Sequence, residues 1–280
     1  MAGSATDALR RLARRSYFVS KQYALAQMRR REPPIVVFSM GKTGSTAIAR
    51  AVQDTIGRRV FQVFRLEPER LAEAEVRYRA AAAPPFAGAL HLWESEFLLR
   101  GPPSAATPWT VITTVREPVA QAISAFFHGG GLRGLLSGNE TTEHLARTLV
   151  DDGWLRAPLR WFDREFAPAF GIDALEVPFD PEVGYVVIER PNARVLLLRQ
   201  ENLAAAPEAL AEFLGIQGPL PVAARNEATD KEYAGQYRDF LASVRLPGSV
   251  LDQAYGSHYA RHFYADSELQ RFRRRWSEGP

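Results

Sequence analysis

PIVVFSMGKTGSTAI, which spans residues 34–48, places an apolar run before a turn of glycine, lysine and hydroxyl residues and then the start of a helix. The run is rich in valine and isoleucine and is bounded by proline and glycine, so it predicts a buried strand over residues 34–39. The apolar spacing that follows predicts a helix from Ser45 to Ile56. Such a turn points free N–H groups at an anion, and the helix dipole favours negative charge there. Residues 34–48 therefore predict a site for a phosphate-bearing ligand.

The turn also supplies side chains that suit an anion. Lys42 adds a mobile positive charge, and three hydroxyl residues add further donors. The order of a Walker A loop is absent, because Lys42 precedes Gly44. The segment also fits a plain tight turn, and that interpretation stays open from these residues alone. The candidate binding residues are Gly41, Lys42, Thr43, Gly44, Ser45 and Thr46.

Composition narrows the class of protein. The chain has 280 residues, of which 46% are hydrophobic, enough for the packed core of one large α/β domain or two small ones. The absence of cysteine excludes disulfides, thiolate nucleophiles and cysteine-ligated metals, and it fits a reducing, cytoplasmic compartment. No apolar run is long enough to span a bilayer, and no secretory signal is visible. A net charge of +3 is too small to argue for a nucleic-acid partner.

The N-terminal residues differ from the rest of the chain. Arginines crowd residues 1–32 among scattered apolar side chains, which predicts a basic helical arm separate from a single α/β domain over residues 33–280. Such an arm can rest peripherally on an anionic membrane surface. A solvated arm that docks loosely on the domain is the alternative.

Strands and helices alternate along the chain, which favours a central, mainly parallel sheet flanked by helices. In such sheets ligands bind outside the carboxyl ends of the strands. Lys42 and Arg116 each follow a strong strand, so we expect them to share one edge of the sheet. The predicted strands after the first are residues 59–64, 86–91, 109–115, 185–189 and 194–198.

A second anion site is predicted in VREPVAQAISAFF, residues 115–127. Arg116 leaves a strand, and a helix is expected from Pro118 to about His128, where three glycines would end it. The planar guanidinium of Arg116 can clamp a phosphate together with Ser124. Alternatively, Arg116 pairs with Glu117 or another carboxylate, and the polar stripe of the helix merely faces water. That stripe is Glu117, Gln121, Ser124 and His128.

Taken together, the two segments resemble the PAPS-dependent sulfotransferases, which have a P-loop-like three-layer fold. The likeness rests on the turn at residues 41–46 and on Arg116, Pro118 and Ser124. It extends over roughly residues 34–276 and points to the bacterial capsular polysaccharide synthesis branch of that superfamily. The softer matches are Trp161-Phe162-Asp163, Pro178-Phe179-Asp180, residues 197–203 and His262-Phe263-Tyr264.

The resemblance implies transfer of a sulfuryl group from PAPS to a hydroxyl of a saccharide or another small acceptor. The turn would hold the 5′-phosphosulfate, with Lys42 neutralising charge on the leaving oxygen. Arg116 and Ser124 would anchor the 3′-phosphate and so distinguish PAPS from ATP. This chemistry requires no metal.

The acceptor hydroxyl needs a general base. His91 is the first candidate, because it ends a predicted strand where many members of the superfamily carry their catalytic histidine, and Glu94 is the second. His128 either lines the acceptor cleft or is a cation at a helix C-terminus. A glycine-bearing stretch over residues 129–138 is a candidate lid or a plain surface loop. Arg199 and Glu201 are expected to form a structural ion pair.

Two other classes of function remain open. A P-loop-type small-molecule kinase needs a Walker order and a carboxylate for Mg²⁺. A non-catalytic nucleotide- or carbohydrate-binding protein could keep the same fold, in which case nucleotide would bind but Lys42→Ala would alter no chemistry.

Overall fold

Five strands form one sheet, in the spatial order β2-β1-β3-β5-β4. Four of them are parallel, and β4 pairs antiparallel with β5 as a hairpin. The computed structural model describes residues 33–57, 59–80, 86–132, 136, 139–204, 206–222 and 233–278. The strands are β1 (Ile35–Phe38), β2 (Val60–Val63), β3 (Trp109–Val115), β4 (Tyr185–Arg190) and β5 (Ala193–Arg199). A mainly parallel sheet flanked by helices is therefore confirmed.

Both faces of the four parallel strands are mostly buried, which is typical of parallel sheets covered by helices, whereas the edge strand β4 is more exposed. In β1, Ile35 and Val37 pack on one face, in an apolar core shared with Ile48 of the first helix. Val36 and Phe38 point to the other face and join a larger, aromatic core. Burial of both faces of β1 explains why its sequence is a continuous apolar run.

Helices connect and cover the strands. A π-helical turn at Phe162–Phe166 and short 3₁₀ turns at Trp154–Arg156, Pro158–Arg160 and Gln200–Asn202 interrupt the regular helices. Within the described residues the α-helices are α1 (Ser45–Ile56), α2 (Pro68–Ala80), α3 (Phe86–Leu99), α4 (Pro118–Leu132), α5 (Thr142–Asp151), α6 (Ala167–Phe170), α7 (Ala206–Leu214), α8 (Ala234–Ser243), α9 (Gly248–Tyr255), α10 (His258–Phe263) and α11 (Asp266–Glu278).

The strand predicted over residues 86–91 is wrong, because this segment forms the first half of α3. The whole of α3 holds alanine, leucine and glutamate, which favour helices, and no β-branched residue. Its buried side chains include Leu92, Ser95 and Leu98, which recur at a helical spacing. His91 therefore lies within a helix and does not end a strand.

The helix break predicted at the three glycines is also wrong, because α4 continues through them to Leu132. A Cβ on Gly129 would lie 2.6 Å from the ring of Trp154, so glycine lets the helix pack closely against that ring. The predicted lid begins inside this helix, and residues 133–135 and 137–138 lie outside the described residues.

The predicted arm over residues 1–32 also lies outside the described residues, so it and the division of the chain into an arm and one domain stay predictions. Across the part of the chain that the structure describes, no helix combines the length and apolar character needed to cross a membrane.

Candidate functional site

The two predicted anion-binding segments meet at one edge of the sheet. β1 and β3 are parallel neighbours, so the turn after β1 and Arg116 after β3 lie side by side. Contact is direct, because Nη1 of Arg116 donates a hydrogen bond to the carbonyl oxygen of Lys42 at 3.0 Å. Segments 74 positions apart in sequence thus form one surface.

The backbone of the turn has the shape of an anion cradle. Lys42 and Gly44 both take left-handed conformations, with φ of 71° and 83°. The carbonyl of Gly41 accepts a bond from Nε2 of Gln121 at 2.7 Å, so α4 engages the carbonyl side of the turn. Within the described part of the chain, the backbone N–H groups of residues 43–46 donate to no protein acceptor. Such unmatched donors at a helix N-terminus attract an anion.

Lys42 and Gly44 differ in how they tolerate this shape. A larger residue is unfavourable at position 44, because its Cβ would lie 2.7 Å from Cδ1 of Leu203. The positive φ of Gly44 would also strain any residue with a Cβ. Lys42 is the one described residue other than glycine with positive φ. Its backbone therefore carries strain of about 1–3 kcal/mol, which the contacts of the turn must hold in place.

The three hydroxyl residues of the turn play different roles. Thr43 is fully buried, and its hydroxyl donates to the carbonyl of Met40 at 2.9 Å and lies 2.6 Å from the hydroxyl of Thr114. The side chain of Thr43 thus braces the turn on β3, which leaves only its N–H for a ligand. Ser45 and Thr46 instead accept hydrogen bonds from Nε2 of Gln62 in β2, at 3.1 and 2.8 Å.

Arg116 is fixed through its backbone. The hydroxyl of Tyr259 accepts a bond from the N–H of Arg116 at 3.2 Å and donates one to its carbonyl at 2.9 Å. Tyr259 is buried on α10, so this double contact comes from the core. The guanidinium is half-buried, and it contacts the turn from a backbone that Tyr259 holds in place.

Glu117 points inward and does not pair with Arg116, so that alternative is wrong. Its carboxylate accepts bonds from the N–H groups of Val119 and Ala120 at the start of α4. It also accepts bonds from the hydroxyl of Tyr255 at 2.7 Å and from Nε1 of Trp276 at 3.3 Å. Burial raises the pKa of Glu117, while these hydrogen bonds oppose the shift.

The polar stripe of α4 turns partly toward the cradle. Gln121 is buried and contacts Gly41, so a water-facing stripe is also wrong at this position. Ser124 is half-buried and lies three residues further along, on the same helical face as Gln121. Ser124 is therefore on the side of α4 that carries the contact with the turn, one helical turn beyond it.

The two candidate bases have contrasting surroundings. Glu94 is buried, and its carboxylate accepts bonds from the side chain of Arg59 and from the N–H of Gln62, the latter at 2.9 Å. His91 is half-buried, with its ring 5.0 Å from that of Phe64. Burial, with the nearby charge of Arg65 and then of His128, lowers the pKa of His91 to about 4. His91 is thus a neutral imidazole at neutral pH.

A further group of partly buried contacts holds the backbone next to Arg116. The carboxylate of Glu201 accepts a bond from the N–H of Glu117 at 2.8 Å and one from the hydroxyl of Tyr264 at 3.1 Å. Arg199 lies 4.0 Å from Glu201, at the limit of an ion pair, and binds Glu268 more closely, at 2.5 Å. The predicted pair is therefore present as the weaker of two. Among the described residues no trio of histidine, aspartate or glutamate is arranged to hold a metal.

Sequence reasoning missed the residues that hold the site together. Gln62 lies in a predicted strand, but no motif marks its contact with the turn. Tyr259 contacts Arg116 across 143 positions of sequence. Neither has a local signal, because each acts through a contact that only the folded sheet and its covering helices create.

Comparison with known families adds one finding. The NKWYS family, described as "Putative capsular polysaccharide synthesis protein", matches residues 140–265. No curated protein matches the chain. The matched segment contains Glu201, Tyr255, Tyr259 and Tyr264, which support Arg116 and Glu117, whereas the cradle and Arg116 themselves lie before it. The similarity thus covers residues that form hydrogen bonds with Arg116 and Glu117, and it does not cover the turn itself.

Proposed function

We propose that this protein transfers a sulfuryl group from PAPS to a hydroxyl of a carbohydrate or another small acceptor. The proposal rests on one observation, the hydrogen bond from the Arg116 guanidinium to the Lys42 carbonyl. It makes two anion-binding segments neighbours at the edge of the sheet where ligands of α/β proteins bind. A donor with phosphate groups at both ends of a ribose suits such a pair of segments.

The chemistry of the donor groups supports the proposal. The N–H groups of residues 43–46 and the Lys42 ammonium would bind the 5′-phosphosulfate. The remaining N–H groups of Arg116, together with Ser124, would bind the 3′-phosphate that ATP lacks. We therefore include a P-loop-like fold and membership of the sulfotransferase superfamily in the proposal.

The proposed reaction is an in-line displacement at sulfur. The acceptor oxygen forms a bond to sulfur while the bond from sulfur to the 5′-phosphate oxygen breaks. The leaving group is PAP, the desulfated form of PAPS. Lys42 would neutralise the charge that grows on that leaving oxygen. Holding the two reactants in line supplies much of the remaining acceleration.

We propose His91 as the base that takes the proton of the acceptor hydroxyl. The carboxylate of Glu94 is held by Arg59 and by the backbone of Gln62, which fits a structural role better. His91 is a neutral imidazole at neutral pH, because its pKa is lowered to about 4, so one ring nitrogen is free of a proton and can accept one. The negative charge of a bound donor would offset the nearby positive charge of Arg65, which would move this pKa back toward the range useful for catalysis.

The proposed acceptor class follows from the family similarity. The matched family is described by capsular polysaccharide synthesis, and a saccharide offers the hydroxyl that the reaction needs. We propose that the enzyme acts in the cytoplasm, the compartment that the cysteine-free sequence favours.

The decisive experiment measures thermal stabilisation of the protein by PAP, ADP and ATP. We expect the largest shift with PAP, and we expect Arg116→Ala to erase the difference between PAP and ADP. Arg147→Ala, which removes an exposed arginine of α5, is the matched control and should keep the preference. Equal shifts with PAP and ADP in the parent chain would contradict the proposal.

Transfer of label from ³⁵S-PAPS to saccharide, lipid and phenol acceptors tests the reaction itself. A saccharide product that disappears in Lys42→Ala supports the enzyme. Preferred binding of PAP with no transfer to any acceptor indicates a non-catalytic binding protein, and turnover of ATP with Mg²⁺ indicates a kinase.

A further inference from the structure

Two hydroxyl protons at the cradle have no acceptor within the described residues. Ser45 is buried, with 3% of its surface exposed, and Thr46 is half-buried. Each oxygen accepts a hydrogen bond from Gln62, and neither hydroxyl donates one to a described residue. A buried donor without an acceptor is unfavourable, so these protons indicate a missing acceptor.

Gln62 is held rigidly enough to impose this arrangement. Its strand pairs with β1 directly beneath the turn, with Gln62 opposite Val37. Its backbone N–H donates to Glu94 at 2.9 Å, and Glu94 in turn accepts from Arg59. A single amide nitrogen therefore reaches both hydroxyls from a fixed position, and each hydroxyl must turn its proton away from that nitrogen.

We propose that Gln62 is a positioning residue that sets Ser45 and Thr46 as donors, which makes the cradle selective for a tetrahedral anion that carries no proton. The site is that of the proposed function, so this inference rests on it. The favoured ligand group is a sulfate or a fully ionised phosphate. Gln62 itself need not touch the ligand.

The selectivity follows from the kinds of groups present. The N–H groups of residues 43–46 can only donate, and Gln62 directs the two hydroxyls to donate as well. The carbonyls of Gly41 and Lys42 are engaged by Gln121 and Arg116. A protonated phosphate would bring its own O–H against these donors and leave it unmatched, whereas a sulfate has no such proton.

Calorimetric titration of the full chain with inorganic sulfate and with methyl phosphate tests the selectivity. Phosphate monoesters lose their second proton at a pKa of about 6, so titrations about one unit below and one unit above that value compare the two charge states. We expect the affinity for methyl phosphate to fall about tenfold at the lower pH, as the dianion becomes the minor form. Sulfate affinity should change little and serves as the internal reference. Similar behaviour of the two anions at both pH values would overturn the proposal.

Two substitutions at Gln62 identify its role. Gln62→Leu keeps the volume but releases both hydroxyls, and it should weaken sulfate binding about fivefold to tenfold and reduce the pH discrimination against methyl phosphate. Gln62→Glu places an acceptor against the hydroxyls and should weaken sulfate more. Gln53→Glu adds the same charge at an exposed position of α1 and should change binding little.

A double-mutant cycle separates positioning from a general effect on folding. In a Thr46→Val background the effect of Gln62→Leu on sulfate affinity should shrink, since one of the two oriented hydroxyls is already absent. If Gln62→Leu binds sulfate as tightly as the parent chain, or more tightly, the amide orients no donors and the proposal fails.

The outcomes for the two proposals are distinguishable. Sulfate binding that depends on Gln62, without a preference for PAP over ADP, would support the cradle and contradict the sulfotransferase. A preference for PAP that is indifferent to Gln62→Leu would support the enzyme and contradict the positioning role.

Discussion

The turn after β1 and the segment after β3 lie at the same edge of the sheet but are built in opposite ways. In the turn, four backbone N–H groups find no acceptor among the described residues, and Lys42 has a strained conformation. At Arg116 and Glu117, by contrast, the backbone and the buried carboxylate form hydrogen bonds with residues 84 to 159 positions away. These bonds are additional to those of Glu117 with the first turn of α4. A segment held by side-chain contacts thus supports a strained turn, and under the proposed function the N–H groups of that turn would bind the ligand.

The largest expected effect is the loss of stability in Glu117→Ala, which tests the rigid segment after β3. The change removes the acceptor of two backbone N–H groups and of the Tyr255 and Trp276 side chains. Because these donors stay buried, we expect the free energy of unfolding to fall by about 3 kcal/mol or more. Urea unfolding followed by circular dichroism measures the loss.

Glu143→Ala is the matched control for that measurement. Glu143 is also an acidic residue in the first turn of a helix, α5, but it is exposed. Its removal should change stability by no more than about 0.5 kcal/mol. If both substitutions have equally small effects, the carboxylate of Glu117 does not fix the segment after β3.

The second prediction concerns the strained backbone of Lys42. Lys42→Gly removes both the ammonium group and the penalty for a left-handed φ. We expect the free energy of unfolding to stay unchanged or to rise by about 1 kcal/mol, because glycine adopts this conformation without strain. Under the proposed function, sulfuryl transfer should fall about a hundredfold to a thousandfold, because the leaving oxygen would lose its stabilising charge.

Arg50→Gly supplies the control, since Arg50 is exposed within α1. Glycine at an ordinary helical position should lower stability by about 1 kcal/mol and leave transfer unchanged. A clear loss of stability in Lys42→Gly, similar to that in Arg50→Gly, would show that the Lys42 backbone is not strained.

The same contrast explains what the sequence could predict. The five observed strands, α1 and the turn between β1 and α1 follow from apolar periodicity and turn chemistry within about twenty residues, and the structure has them. The predicted binding of an anion at that turn stays a prediction. Lys42 and Arg116 could be placed on one edge because parallel strands share their carboxyl ends. That rule needs only the order of strong strands.

The errors have equally physical causes. The segment before His91 is a short apolar run, which periodicity alone cannot assign to a strand or a helix. The helix α4 continues through Gly129, against which Trp154 packs where a Cβ would lie, a contact from a distant segment that no local pattern shows. The roles of Gln62 and Tyr259 depend on pairings that form only when the sheet and its helices are assembled.

The third prediction tests the support of Arg116 directly. Tyr259→Phe leaves the buried ring but removes the hydroxyl that binds both the N–H and the carbonyl of Arg116. We expect a loss of about 1–3 kcal/mol in stability and a smaller difference between PAP and ADP in thermal stabilisation. Tyr237→Phe, on α8, is the control because its ring also packs in the aromatic core, against Phe127. A PAP preference that survives Tyr259→Phe unchanged would show that the arginine needs no such support.

The smallest expected effect on stability at neutral pH concerns His91, whose pKa is lowered by burial and then by the nearby charges of Arg65 and His128. Its pKa is about 4 in the folded chain and has its ordinary value of 6.5 when the chain unfolds. As the pH falls through this interval the unfolded chain binds a proton that the folded chain does not, so this residue lowers the free energy of unfolding. The contribution is absent above the upper value and constant below the lower one.

His91→Gln should therefore flatten the decline of stability between those two pH values, relative to the parent chain. Urea midpoints across the interval measure the difference, and His144→Gln, at an exposed position of α5, should reproduce the parent profile. Bound PAP should reduce the contribution of His91 in the parent, since an anion beside Arg65 and His128 offsets the charge that lowers the pKa. A parent profile that PAP leaves unchanged would place His91 away from the ligand and return Glu94 to consideration as the base.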